Sequence, residues 1–202
     1  MQKIGIYGGS FNPVQNAHLL IAELFCESMD LDKCIFIPAS VSPFKSEDDY
    51  SEISDNDRLK MLEMAIEDNP KFEADDFELT KGGVSYSINT IDHLIKKYPE
   101  SAFYLLIGGD HAGVFTDWKD WQEILKKTYL CIAQRPDTFS EDDKKEIEEK
   151  LTVDNKKLLW LDTPLIEISS TEIRKRAAEN KTIRYMVPKK VEQYIGSHNL
   201  YK

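Results

Sequence analysis

Short apolar runs alternate with amphipathic helical stretches along most of the chain, and this alternation limits the folds that the chain can adopt. Strands are predicted at 4–7, 34–37, 72–79, 103–107, 129–133 and 158–161, and helices at 18–29, 54–68, 87–97, 121–126, 171–178 and 188–195, with a solvated helix capped by Ser140 in the acidic stretch 137–149. The run 103–107 is apolar throughout, as expected of a central parallel strand covered on both faces. The pattern therefore predicts an α/β protein with an open parallel sheet and helices on both faces.

The loop after the first predicted strand holds the residues best placed for chemistry, because ligands of open parallel sheets bind beyond the carboxyl ends of the strands. Gly8 and Gly9 follow that strand directly, and a helix opens near Ala17. Glycines let the backbone approach a ligand, and the amides at a helix N-terminus attract anions. This corner is predicted to bind phosphate. It matches neither the GxGxxG fingerprint nor the GxxxxGK[ST] P-loop, which disfavours an NAD-dependent dehydrogenase.

Composition and charge exclude several classes of protein. A chain of 202 residues fits one domain, 1–202, with a C-terminal helical part from about residue 168. The formal net charge of −10 argues against general nucleic-acid binding, which needs a basic surface. Cys26, Cys34 and Cys131 show no CxxC spacing, which argues against a disulfide framework or a structural zinc site; Cys34 and Cys131 are expected in the core. Without a charged leader or a long apolar stretch, a cytoplasmic location away from membranes is expected.

Ordered motifs occupy nearly the whole chain. They are GGSFNPVQNAH at 8–18, FIP at 36–38 with SPFK at 42–45, RLKML at 58–62, GVSYS at 83–87, IGGD at 107–110, FTDW at 115–118, RP at 135–136 and ISSTEIR at 168–174. Together they resemble the nucleotidylyltransferase superfamily, and specifically nicotinate-nucleotide adenylyltransferases, whose first motif reads GGSFNPxHNGHL. The resemblance implies a Rossmann-like nucleotidylyltransferase fold. It also implies adenylyl transfer from ATP to nicotinic acid mononucleotide in NAD biosynthesis, giving nicotinic acid adenine dinucleotide and pyrophosphate.

The resemblance further implies a role for each matched residue. His18 is expected to stabilise the α-phosphate in the transition state, with Gln15 beside it. The residues implied to bind ATP are Gly8, Gly9, Ser10, Phe11, His18, Ser169, Ser170, Thr171 and Arg174. Those implied to bind the mononucleotide are Asn12, Lys45, Ser87, Asp110, Trp118 and Arg135. Magnesium is expected to bridge the phosphates of ATP, mostly surrounded by water and without a dedicated protein site.

Two positions depart from the first motif of the family. Gln15 stands where the family has its first histidine, and Ala17 stands where it has a glycine. Gln15 donates a hydrogen bond but carries no charge, so slower turnover is expected. The departure leaves open a nucleotide-binding protein that senses ATP or a dinucleotide without catalysis. The presence of His18 and Arg174 argues against such a sensor.

The sequence also leaves open the identity of the acceptor and the roles of single residues. Nicotinamide mononucleotide, phosphopantetheine and FMN are further candidate acceptors, although the SYS and FTDW segments favour a pyridine nucleotide. The Ser169–Ser170–Thr171 cluster fits a simple N-cap, Asp110 fits a cap of the next helix, and Trp118 fits a core aromatic. Homo-oligomerisation is possible on the sequence alone.

Overall fold

The structure, a computed structural model, describes residues 1–43, 53–134, 138–152 and 158–202. The strands are β1 Gln2–Gly9, β2 Lys33–Pro38, β3 Phe72–Ala74, β4 Ser101–Gly108, β5 Thr128–Gln134 and β6 Leu159–Asp162. The helices are α1 Asn16–Met29, α2 Asp55–Ile66, α3 Phe77–Lys81, α4 Ser87–Lys97, α5 Gly109–Ala112, α6 Trp121–Lys127, α7 Glu141–Leu151, α8 Ser170–Ala178 and α9 Lys189–Ser197, with a 3₁₀ turn at Phe115–Asp117.

The strands form one parallel sheet in the order β3-β2-β1-β4-β5-β6. Ile6 of β1 lies opposite Ile35 of β2 on one side and Leu105 of β4 on the other. After β1 the strands β2 and β3 are added toward one edge of the sheet, and β4, β5 and β6 are then added toward the other edge. The gap between the carboxyl ends of β1 and β4 is where such sheets bind ligands.

Successive side chains of the strands point to opposite faces of the sheet and belong to two separate hydrophobic cores. On one face, Phe36 and Leu106 pack with residues of α1, α2, α8 and α9. On the other face, Ile35 and Leu105 pack with residues of α4, α6 and α7. Helices therefore cover both faces, which confirms the predicted α/β class and its open parallel sheet.

The predicted strand at 72–79 is wrong beyond Ala74, because the chain turns there and forms α3. Asp75 produces the turn, since its Oδ1 accepts a hydrogen bond of 3.0 Å from the amide of Phe77. Its Oδ2 accepts a hydrogen bond of 2.8 Å from Nζ of Lys97 on α4. Elsewhere the capping predictions hold: Ser54 and Ser140 accept hydrogen bonds from Asp57 and Asp143 and begin α2 and α7.

The cysteines are buried side chains of the core. Cys26, Cys34 and Cys131 are each no more than 1% exposed, and burial raises the pKa of the Cys131 thiol. The described helices include none with the length and apolar character needed to cross a membrane.

Candidate active site

A cavity of about 560 Å³ opens at the carboxyl ends of β1 and β4. The predicted site residues in its wall are Gly8, Gly9, Ser10, Ser87, Asp110 and Trp118. They come from the end of β1, the start of α4, α5 and the residue after the 3₁₀ turn. The fold thus joins one part of the predicted ATP site to the predicted mononucleotide site, at the point where the strand order reverses.

Phe11 anchors the loop between β1 and α1. Its ring is buried, and the ring centroid lies 5.5 Å from that of Tyr7 and 5.2 Å from that of His18, with edge-on geometry. A Cβ added at Gly9 would lie 3.0 Å from the Phe11 ring. The absence of a Cβ at Gly9 therefore lets the backbone of the loop pass close to the Phe11 ring. Because the ring of Phe11 is buried, its predicted contact with ATP would be made by the backbone amide.

Carbonyl groups of this loop accept hydrogen bonds from side chains of two helices that are distant in sequence. Nη1 of Arg58 on α2 donates to the carbonyl of Ser10 at 2.7 Å. On α8, Nη1 of Arg174 donates to the carbonyl of Asn12 at 2.9 Å, and the hydroxyl of Ser170 donates to that of Pro13 at 2.9 Å. We call these three contacts the carbonyl clamp. Because they satisfy the carbonyls, they hold the loop in one conformation beside the cavity.

The penultimate residue of the chain also holds the loop. The hydroxyl of Tyr201 donates to Oδ1 of Asn12 at 2.7 Å, and burial raises the pKa of Tyr201, which keeps this donor protonated. Asn12 is 7% exposed and is not part of the described cavity wall. The geometry therefore gives Asn12 a structural role in the loop, and its contact with the mononucleotide stays a prediction.

The start of α1 orients the imidazole of His18. The backbone amide of Gln15, the N-cap residue, donates to Nδ1 of His18 at 3.2 Å. Nδ1 is thus an acceptor, which assigns the ring proton to Nε2 and makes Nε2–H a donor. This hydrogen bond fixes one tautomer of the ring. Gln15 itself is 6% exposed.

The Ser-Ser-Thr cluster opens α8 as an N-terminal cap. The hydroxyl of Ser169 accepts a hydrogen bond of 3.1 Å from the amide of Glu172. The hydroxyl of Thr171 accepts one of 3.3 Å from Nη2 of Arg174, whose Nη1 belongs to the carbonyl clamp. The simple capping interpretation therefore holds for Ser169. The predicted phosphate contacts of this cluster remain predictions, and they would use the amides of the first turn and the remaining donors of Arg174.

Three of the six predicted acceptor-binding residues, Ser87, Asp110 and Trp118, lie in the cavity wall. Ser87 is the first residue of α4, and Asp110 lies in the first turn of α5. A Cβ added at Gly108 would lie 2.5 Å from Oδ1 of Asp110, so the carboxylate sits directly above the end of β4. Trp118 packs against Phe115, with ring centroids 5.0 Å apart, and also lines the cavity. Lys45 and Arg135, two of the other predicted residues, lie outside the described residues.

Sequence reasoning missed several residues of the cavity wall, namely Glu78, Tyr86, His111, Asp117 and Lys119. Glu78 belongs to α3, which the sequence presented as a strand. Burial raises the pKa of Glu78, against the lowering effect of hydrogen bonds from Ser85 and Thr90. The presence of a polar residue near a family motif is weak evidence that the residue lines the site. The fold is therefore needed to identify these residues as part of the cavity wall.

A family model and curated relatives match nearly the whole chain. A protein-family model described as cytidylyltransferase-like matches residues 6–176. A probable nicotinate-nucleotide adenylyltransferase of Caldicellulosiruptor saccharolyticus is 38% identical, over 99% of this chain and 99% of the relative. One of Syntrophotalea carbinolica is 37% identical, over 99% of this chain and 97% of the relative.

A solved structure with a similar fold comes from Plasmodium falciparum. Its nicotinic acid mononucleotide adenylyltransferase, complexed with NaAD, aligns with a TM-score of 0.78 over 100% of this chain and 98% of that chain. At 20% identity this likeness concerns the fold. The full-length identity to the curated relatives, together with the ordered motifs and the site that they build, establishes that the chain belongs to the nicotinate-nucleotide adenylyltransferase family of cytidylyltransferase-like proteins.

Proposed function

We propose that this protein transfers the adenylyl group of ATP to nicotinic acid mononucleotide, forming nicotinic acid adenine dinucleotide and pyrophosphate. The observation that carries the proposal is that one loop connects the cavity to His18 and the start of α1. Gly8, Gly9 and Ser10 line the cavity that holds the predicted acceptor residues, and the same loop runs on to His18 and the start of α1. The relatives named as probable nicotinate-nucleotide adenylyltransferases support the same reaction.

The reaction needs positioning and charge stabilisation more than covalent chemistry. A phosphate oxygen of the mononucleotide attacks the α-phosphorus of ATP in line. The bond from that phosphorus to the oxygen bridging the β-phosphate breaks, and pyrophosphate leaves with the electron pair. Nε2–H of His18 is the donor that we assign to the α-phosphate in the transition state. The start of α1 adds the positive end of its dipole.

Gln15 and magnesium complete the proposed phosphate chemistry. Gln15 supplies a neutral donor where the family carries a histidine, and a neutral hydrogen bond stabilises a developing charge less than a charged one. Within the described ranges, His, Cys, Asp and Glu side chains form no group of three that could hold a metal ion. We propose that magnesium enters as the complex with ATP, because Mg²⁺ keeps several waters and binds through substrate phosphates.

The test is a pyrophosphate-release assay with ATP and magnesium that compares nicotinic acid mononucleotide, nicotinamide mononucleotide and phosphopantetheine. Strong preference for the acid supports the proposal. Preference for the amide keeps the chemistry and changes the acceptor. Measurable ATP binding without turnover on any acceptor would favour the sensor that Gln15 leaves open. We also propose that the protein is cytoplasmic. Its oligomeric state is a separate question, and size-exclusion chromatography distinguishes a monomer from a homo-oligomer.

A further inference from the structure

Tyr86 and Ser87, two residues of the cavity wall, lie at a turn into α4 that the local backbone leaves free to vary. Gly82 and Gly83 precede them with φ angles of +68° and +72°, and a Cβ added at either glycine would meet nothing within 4 Å. Glycines of this kind allow many conformations. Tyr86 is the N-cap residue of α4, and its side chain makes no capping hydrogen bond. The turn therefore depends on contacts from other elements to keep one conformation.

The carboxyl group of Glu78 on α3 supplies such contacts on both sides of the turn. Its Oε1 accepts a hydrogen bond from the hydroxyl of Thr90, the fourth residue of α4. The hydroxyl of Ser85, which precedes the N-cap residue, also donates to this carboxyl group. Because Tyr86 and Ser87 lie between Ser85 and Thr90 in the chain, Glu78 connects the two ends of the turn. Its position beside the first turn of α4 is one where the helix dipole favours negative charge.

The same network continues to the segment that follows β2. The hydroxyl of Ser85 accepts a hydrogen bond of 3.0 Å from the amide of Ser40, and the amide of Ser85 donates to the carbonyl of Val41 at 2.8 Å. Glu78 is partly buried and lines the cavity, whereas Thr90 is 2% exposed and is not part of the described cavity wall. Three segments beside the cavity are thus joined through one carboxyl group.

We propose that Glu78 is a positioning residue of the acceptor site, which holds Tyr86 and Ser87 in the arrangement that the mononucleotide requires and does not contact the mononucleotide itself. This inference rests on the proposed function, in which Ser87 belongs to the acceptor site. A carboxyl group suits the task, because its two oxygens accept hydrogen bonds from two hydroxyls at once. The mononucleotide is itself an anion, and a carboxylate in direct contact with it would repel it.

The experiment compares the wild type with Glu78→Met, Glu78→Gln and Thr90→Val. Methionine removes both acceptors at a similar length, while glutamine keeps an oxygen acceptor and adds an amide donor that the Ser85 hydroxyl can accept. Valine removes the bond to Glu78 from a residue outside the described cavity wall. Asp76→Asn is the matched control, because Asp76 is the exposed N-cap residue of α3 and is not part of that wall.

For each protein, kcat and the KM of each substrate are measured by pyrophosphate release, and the Kd of nicotinic acid mononucleotide by calorimetry. Glu78→Met should raise both the KM and the Kd of the mononucleotide by about tenfold and keep the KM of ATP within about twofold of the wild type. Thr90→Val should raise the same two constants of the mononucleotide by about three- to fivefold. Glu78→Gln should stay within about twofold of the wild type, and Asp76→Asn should equal it.

Three results would overturn the inference. A Kd of the mononucleotide that Glu78→Met leaves unchanged removes Glu78 from the acceptor site. A similar rise in the KM of ATP shows a general loss of structure in place of positioning at one site. Weakened binding in Glu78→Met beside normal binding in Thr90→Val shows a direct contact between Glu78 and the ligand.

The test stays decisive if Glu78→Met does not fold, because Thr90→Val must then show the rise for the mononucleotide alone. The unfolding temperature of each variant, followed by circular dichroism, identifies such a failure. A wild type without turnover on any acceptor refutes the proposed reaction, and the Kd values of the mononucleotide still decide the role of Glu78. A wild type that does not bind the mononucleotide overturns both proposals.

Discussion

Replacement of Arg58 by methionine tests whether the carbonyl clamp holds the loop between β1 and α1 in its conformation. Arg58 is 4% exposed, and its two terminal nitrogens have different partners. Nη1 donates to the carbonyl of Ser10 at 2.7 Å, and Nη2 pairs with Asp55 in the first turn of the same helix. Methionine has a similar length, so the variant removes the donors with little change in packing volume.

The expected loss of stability follows from these two contacts. A hydrogen bond from a charged donor contributes about 1.5–3 kcal/mol, and part of that loss is the buried carbonyl of Ser10 left without a partner. The pair with Asp55 adds at most about 0.5 kcal/mol, because that carboxylate is 47% exposed. Arg58→Met should therefore lower the free energy of unfolding by about 2–3 kcal/mol. A loosened Ser10 should also lower kcat/KM for ATP by about tenfold or more.

Urea unfolding followed by tryptophan fluorescence measures the first effect, and pyrophosphate release at varied ATP measures the second. Asp55→Asn is the control: it removes the ion pair and keeps the hydrogen bond to Ser10, so both quantities should stay near the wild type. If Arg58→Met loses less than about 1 kcal/mol and keeps its kcat/KM for ATP, the clamp does not hold the loop.

Further predictions concern the loop, the imidazole and the cavity wall. His18→Ala should lower kcat by about 100-fold with the fold intact by circular dichroism, and a rate near the wild type would remove His18 from the mechanism. Tyr201→Phe should lower the free energy of unfolding by about 1 kcal/mol, whereas Tyr185→Phe, at an 84% exposed position, should not change it. For Glu78, burial raises the folded pKa, so the folded state keeps a proton that the unfolded state releases. Its contribution to stability is complete below the ordinary pKa of Glu and is lost as pH rises through the raised value. Thermal unfolding at pH values from about 4 to about 7 should therefore show the wild type losing stability relative to Glu78→Gln, and parallel curves would contradict the raised pKa.

The parts of the fold that follow from local patterns were predictable from the sequence. The continuous apolar run of β4 and the amphipathic pattern of α4 each depend on burial of a repeating set of side chains, and both elements lie where predicted. The turn at Asp75 was not predictable, because its carboxylate is satisfied by Lys97, which lies 22 residues further along the chain. A tertiary ion pair of this kind overrides the local strand preference.

The site divides in the same way. Sheet geometry predicted the place of Gly8 at the carboxyl end of β1, and the family resemblance predicted Ser87 and Asp110, which line the same cavity. The partners of the loop were not predictable, because Arg58 and Tyr201 reach it across 48 and 189 residues. The periodicity of apolar residues predicts helices and strands, but it does not predict a hydrogen bond between groups so far apart in the sequence.

The order in which the loop and its partners are synthesised has a consequence for the growing polypeptide. Gly8 to Pro13 leave the ribosome early, whereas Ser170, Arg174 and Tyr201, which bond to this loop across 157, 162 and 189 residues, leave it much later. The nascent chain therefore carries the loop between β1 and α1 without these three partners during most of its synthesis. We expect intermediates that lack these partners to bind ATP poorly, and the chain to acquire its affinity for nucleotide only after all three have emerged.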